Sequence, residues 1–193
     1  LFTYIDLLGL SEYVAAAWER GIDRDWSAHA GSLEWSCTKT ANHAYDSTLA
    51  VGYFLASRRQ DRYPEWCDDL SVGDPPWPSE LVEAIAVAGR LVAGVVATTP
   101  DDVRAIIWRR PETTVASPQD FAPRAALEMM LHGHDVAAGI GVPYEPPEGL
   151  CTRLRDHTHT WPFWGTAWKP IRRTTDAWGD LLDASGRARF VAF

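Results

Sequence analysis

Apolar residues recur at helical spacing through most of the chain, and the places where that rhythm stops define its elements. Between about Tyr4 and Arg20, the residues Ile5, Leu8, Tyr13 or Val14, Ala17 and Trp18 fall near one helix face, and Gly21 supplies the stop. A polar loop with Trp26, His29 and Gly31 follows. Either Ser36 or Thr38 can then cap a second helix that carries His43 and runs to about Arg59, with Tyr63-Pro64 closing the segment. A stretch rich in Pro, Gly and Asp over 71–78 gives way at Ser79 to a third helix, whose Val, Ile and Ala content marks it as central packing and which Thr99-Pro100 ends. After a variable region with Trp108, Arg109, Arg110 and Pro111, the pair Ser117-Pro118 opens a fourth long helix that stops at Gly139 or Gly141.

The remainder, from Val142 to Phe193, reads as a Pro-rich turn, a short helix around Glu148 to His159, a Trp-rich loop and a last helix around Thr174 to Ala184. No segment alternates as a strand does, and no repeat is visible. The expected fold is all-α, one domain over 1–193, built as a bundle of four long helices near 4–20, 36–59, 79–98 and 118–139 with additional short C-terminal helices. The length of 193 residues suits one domain with a real core and is short for two. Facing side chains in such a bundle can build a site in its interior.

Composition narrows the partners. The apolar fraction of 46% and the charged fraction of 23% are those of a globular chain. A formal net charge of -8 repels phosphate backbones and anionic membrane surfaces, so neither nucleic acid nor a membrane is expected as a partner. The most apolar run, Leu81 to Ala97, is broken by Glu83, Gly89 and Arg90, short of the roughly 18 apolar residues of a membrane span. The first residues lack the basic, apolar, small-residue order of a signal peptide. Together these predict a cytoplasmic protein. Cys37, Cys67 and Cys151 are odd in number and widely spaced, which predicts reduced thiols and fits neither a disulfide framework nor a cysteine zinc site. Lys39 and Lys169 are the only lysines among 18 basic residues, a bias that suits a GC-rich bacterial genome such as an actinobacterium's.

Polar residues that interrupt the apolar faces carry the chemistry. Glu128 and His132 stand four apart, hence one turn apart on the same helix face, where they can grip a single ion. His43 shares a face with Ser47, Ala50 and Phe54 and can complete a three-ligand set from the second helix. Two histidines and a carboxylate leave a coordination position open for water or substrate. Without an ion, Arg124, Glu128, His132 and Asp135 would form an exposed ladder of helical pairs. Arg124 and Asp135 are placed to orient the ligands through hydrogen bonds or to make ordinary intrahelical pairs. His134 is about 200° round the helix from His132, and Cys37 about 240° from His43, so neither is expected on the same ion. His157 and His159 adjoin Trp161-Pro-Phe-Trp164, which can fold over the bundle mouth as an apolar wall with a proton-transfer partner, although a surface position is the stronger expectation for both histidines.

The order of these features resembles the DinB-like metalloenzyme superfamily, and within it the mycothiol-dependent maleylpyruvate isomerase-like branch. The resemblance rests on Trp35-Ser36, His43, Arg124, the run Glu128-Met-Met-Leu-His132-Gly-His-Asp135, Leu181-Leu182 and Ser185-Gly186-Arg187, and spans about Tyr4 to Arg187. It implies an up-and-down four-helix bundle in which His43, Glu128 and His132 bind one divalent metal, usually zinc, with Fe2+ or Ni2+ also suited to the donors. It further implies a low-molecular-weight thiol, mycothiol or a relative such as bacillithiol, that attacks an electrophilic small molecule, giving a transferase or an isomerase. The family's maleylpyruvate isomerase carries a further C-terminal α/β domain for which this sequence leaves no room after Arg187, so another substrate is expected. The same ligands also suit an oxygen-using iron enzyme, and a bundle of this kind can serve as a non-catalytic metal-binding stress protein. A homodimer is compatible with all three, though no surface stripe identifies an interface.

Overall fold

The computed structural model describes residues 1–62, 64–65, 70–73, 75–108 and 112–190. Helix α1 spans Tyr4–Glu19 and opens with the Thr3 backbone N–H donating to the Asp6 carboxylate at 2.8 Å. Helix α2 spans Cys37–Ser57, and Ser36 is its cap, accepting from the Lys39 N–H at 3.2 Å. Thr38 lies inside the helix, where its hydroxyl donates to the Trp26 carbonyl. The helix ends at Ser57 with Arg58 in the left-handed region, ahead of the expected Tyr63-Pro64 stop; Tyr63 is outside the described residues, as are Cys67, Arg109, Arg110 and Pro111. Helix α3, Pro78–Thr98, starts on a proline whose missing N–H costs nothing in the first turn. Helix α4, Pro118–Ile140, starts the same way and is closed by Gly141 at φ 72°, a conformation glycine adopts without strain.

Two short helices follow, α5 over Glu148–Thr158 and α6 over Ala177–Ala184. The last begins three residues later than its pattern suggests, because Asp176 takes the cap position and accepts from the Gly179 N–H at 2.9 Å. The expectation of no strand is corrected by a small antiparallel hairpin, β1 (Ala105–Trp108) and β2 (Thr114–Ala116). Ala105, Ile106 and Ile107 are all buried, so strands this short write no alternation into the sequence.

The four long helices form the bundle. Packing partners place α3 and α4 each between α1 and α2, leaving α1 diagonal to α2. Ser11 and Glu12 of α1 meet Gly89 and Arg90 of α3 while Phe2 lies near Val96, so α1 and α3 are antiparallel. Cys37 meets Val136 and His43 meets His132, so α2 and α4 are antiparallel too. Trp18 donates to the Gly133 carbonyl and Thr3 lies beside Pro118, which makes α1 and α4 parallel. The four therefore run up, down, down, up, with α2 and α3 parallel rather than alternating. Helix α3 is long and apolar enough to cross a membrane despite Glu83, Gly89 and Arg90, and half of that apolar stretch is buried inside the bundle. Leu7, Leu10, Val14, Trp18, Leu81, Ile85, Phe121, Leu127 and Met129 fill the core.

A close contact between α1 and α3 is made possible by Gly89, where an added Cβ would overlap the Ser11 side chain. Gly94, five residues on, faces open space. Gly89→Ala should therefore lower unfolding stability by about 1–3 kcal/mol through overpacking. Gly94→Ala should raise it by about 0.5–1 kcal/mol by removing backbone freedom. Urea denaturation of both variants separates the two effects.

Candidate metal centre

The antiparallel pairing of α2 and α4 sets His43 against the middle of the fourth helix, opposite Glu128 and His132. One donor atom from each of the three residues can be chosen so that all lie within 4.8 Å of one another, and none of the three side chains is fully exposed. His132 Nε2 is 3.7 Å from Glu128 Oε2, and the rings of His43 and His132 meet edge to face with centroids 5.1 Å apart. Metal bonds of about 2.0–2.2 Å need donors roughly 3–3.5 Å apart, a distance that small side-chain rotations reach. Nitrogen, nitrogen and carboxylate oxygen are donors that a divalent transition metal accepts. The cluster could hold such an ion.

The surroundings prepare each donor. Asp135 Oδ2 stands 3.1 Å from His132 Nδ1, and a proton on that nitrogen leaves Nε2 with its lone pair toward Glu128. Asp135 is itself fixed by both arms of Arg187, whose Nε and Nη2 donate to it at 2.8 and 2.7 Å. Burial pushes the Asp135 carboxyl up, but its bonds to His132 and Arg187 outweigh that and hold it below the usual carboxylate range. Arg124 donates through Nη1 to Glu128 Oε1, which leaves Oε2 directed at His132. Burial again works against the charged form of Glu128. The positive charge of Arg124, then that of His132, the Arg124 hydrogen bond and His43 together bring it down to about 2. On the α2 side the ring of Trp35 sits edge-on to His43 at 5.2 Å, and Ser47 Oγ is 3.2 Å from its Nε2.

Two recesses flank the donors. One of about 190 Å3 is lined by Trp35, Lys39, Asn42, His43, Asp46 and Ser71. Asn42 builds its wall by donating to the Leu70 carbonyl and accepting from the Val72 N–H. The other, of about 200 Å3, is lined by Trp108, Arg124, Leu127, Glu128, Phe163 and Trp168. Trp108 comes from the hairpin and the Phe163–Trp168 segment from the Trp-rich loop, so elements outside the bundle close this side.

Of the residues singled out in the sequence, His43, Glu128 and His132 come together, and Arg124 and Asp135 touch them. His157 and His159 do not join them. The surface position expected for His157 is corrected: its side chain is 7% exposed, packs on Trp161 and lies 3.3 Å from Asp120, two turns before Glu128. His159 is half-buried and bonds the Asp156 carbonyl. His134 points away from the donors, as its spacing requires, and bonds the Ala188 carbonyl. Cys37 and Cys151 are free buried thiols, pushed up to about 11 and about 12 chiefly by burial, and both stay protonated near neutrality. Trp108 and Trp168 carry no sequence signal of their own beyond the high tryptophan count of 10, whereas Phe163 belongs to the Trp161-Pro-Phe-Trp164 segment and Trp35 to the Trp35-Ser36 pair singled out above.

Two outcomes follow. A carboxyl held near 2, against an ordinary 4.5, contributes stability that is complete above 4.5 and disappears as pH falls toward 2. Metal-free protein should therefore lose stability across that window more steeply than its Glu128→Gln variant, measured by chemical denaturation at stepped pH. Arg187→Met should weaken metal binding about 10–100-fold by releasing Asp135 from its position beside His132, with Arg187→Lys recovering part of the loss in a competitive zinc titration.

No family model matches this chain, and searches of curated proteins and of solved structures find no significant relative.

Proposed function

We propose that this protein is a divalent-metal enzyme, with zinc as the metal, that activates a low-molecular-weight thiol of the mycothiol type for attack on an electrophilic small molecule. The observation that carries the proposal is the convergence of His43, Glu128 and His132 between two separate recesses, one touching His43 and one touching Glu128. A site for two reactants needs that arrangement. The DinB-like order of the sequence motifs supports the same reading. Bound in this set, the ion would hold a thiol as thiolate near neutral pH through its open position.

The chain's own residues supply geometry. Asp135 and Arg187 hold the His132 ring, and Arg124 holds the outer oxygen of Glu128, so two donors are set before any ion arrives. Lys39, with its ammonium 4.5 Å over the Trp35 ring, gives the His43-side recess a cation suited to a polar thiol. The aromatic wall on the Glu128 side gives the place where an electrophile would react an apolar lining.

Purified protein should carry about one divalent ion per chain, and His43→Ala should lose most of it while circular dichroism stays helical. Glu128→Gln should lose metal and monochlorobimane-conjugating activity together, because an amide oxygen is the poorer donor. A full complement of metal with a rate lowered by roughly 10²–10⁴ would instead make Glu128 a general base and overturn the three-ligand assignment. Iron in anaerobically purified protein, with substrate-dependent oxygen uptake, would replace thiol chemistry by oxygen chemistry.

A further inference from the structure

The recess on the Glu128 side has a composition that names its occupant. Phe163 is its hub: its ring lies 5.0 Å from that of Trp108 and 5.1 Å from that of Trp168, at 56° and 89°. Leu127 completes the apolar lining. Three aromatic rings line one small volume, where another aromatic ring can make the offset and edge-on contacts that it makes best. A volume of about 200 Å3 is below the ~300–1,000 Å3 of sites for drug-sized ligands, which limits the occupant to one or two rings.

The polar end of the recess is Arg124 and Glu128. The Arg124 guanidinium is stacked 4.3 Å over the Trp108 ring, and its Nη1 is engaged by Glu128. Its Nε is buried and has no hydrogen-bond partner. A buried donor left unpaired costs about 1–3 kcal/mol, and the same guanidinium lines the recess, so that an oxygen held there meets Arg124 as its donor. Arg124 together with a divalent ion on Glu128 also makes this end net positive.

We infer that the recess binds the electrophilic substrate of the proposed reaction, and that this substrate is a one- or two-ring aromatic compound bearing a carbonyl or carboxylate oxygen for Arg124. The inference rests on the metal reading only for the direction of presentation: the ring lies on Trp108, Phe163 and Trp168 and its oxygen-bearing end reaches the donors. The polar recess beside Lys39 and Asn42 is left to the thiol. Ring, oxygen and thiol thereby approach the same centre from opposite sides.

Calorimetric titration of zinc-loaded and chelator-stripped protein tests this with 2-naphthoate and 2-acetylnaphthalene, and with cyclohexanecarboxylate as the saturated control. One aromatic ligand should bind per chain at least about tenfold more tightly than the control, since aromatic pairing adds to area burial. The tighter of the two assigns the oxygen as carboxylate or carbonyl. Ala167, exposed on the rim of the recess, offers a blocking variant that leaves the core intact. Ala167→Trp should abolish binding, and Arg124→Met should weaken it about tenfold while circular dichroism is unchanged. Should Ala167→Trp fail to fold, Trp168→Ala, at a half-buried position, takes its place with an expected loss of about tenfold or more. Equal affinity for the saturated control, or binding indifferent to the blocking variant, overturns the assignment. Zinc is titrated on the same samples: naphthoate binding sensitive to Ala167→Trp without zinc binding sustains the aromatic site and sinks the metal reading, and zinc binding without it does the reverse.

Discussion

A carboxylate placed between two helices of a bundle must find positive charge, and most of what lies around Glu128 answers that demand. Arg124, one turn earlier on the same helix, takes one oxygen; His132, one turn later, faces the other; His43 arrives from α2. Burial alone would drive the carboxyl toward its neutral form. These partners reverse the direction and hold it charged to about 2. A site that keeps an anion ionised against its own desolvation is already shaped for a cation.

That demand propagates outward through hydrogen bonds. His132 can serve Glu128 with one nitrogen because Asp135 occupies the other, and Asp135 can remain charged at 2% side-chain exposure because Arg187 covers both of its oxygens. The C-terminal segment beyond α6 is thus tied to the bundle through the same chain of contacts that orients a donor. On the opposite flank, Arg124 lies on Trp108 of the hairpin, which packs on Phe163 of the Trp-rich loop. The small elements that look like decoration on a four-helix bundle are the ones that complete the site.

The bundle meets these needs by letting helices approach closely where small residues allow it. Gly89 admits Ser11 of α1, and Gly139 admits Cys37 and the His29 carbonyl where the loop before α2 crosses the end of α4. The second contact sets where α2 begins against α4. Since the two helices are antiparallel, it also decides which residue of α2 stands opposite Glu128 and His132, and that residue is His43.

The long helices were legible in the sequence because they carry their own boundary chemistry: Ser36, Thr99-Pro100, Ser117-Pro118 and Gly141 act on their own neighbouring backbone, whatever the rest of the chain does. The pairing of Glu128 with His132 was legible for the same reason, since a spacing of four on one helix is a local fact. Tertiary structure alone decided the rest. Strands of three and four residues leave no period to read, and His157 is buried by a partner, Asp120, that is distant in sequence. Arg187 reaches Asp135 only after the chain has folded back across the bundle. Trp35, Trp108 and Trp168 become walls of two recesses because three separate segments converge there, and convergence between segments far apart in sequence has no local signature.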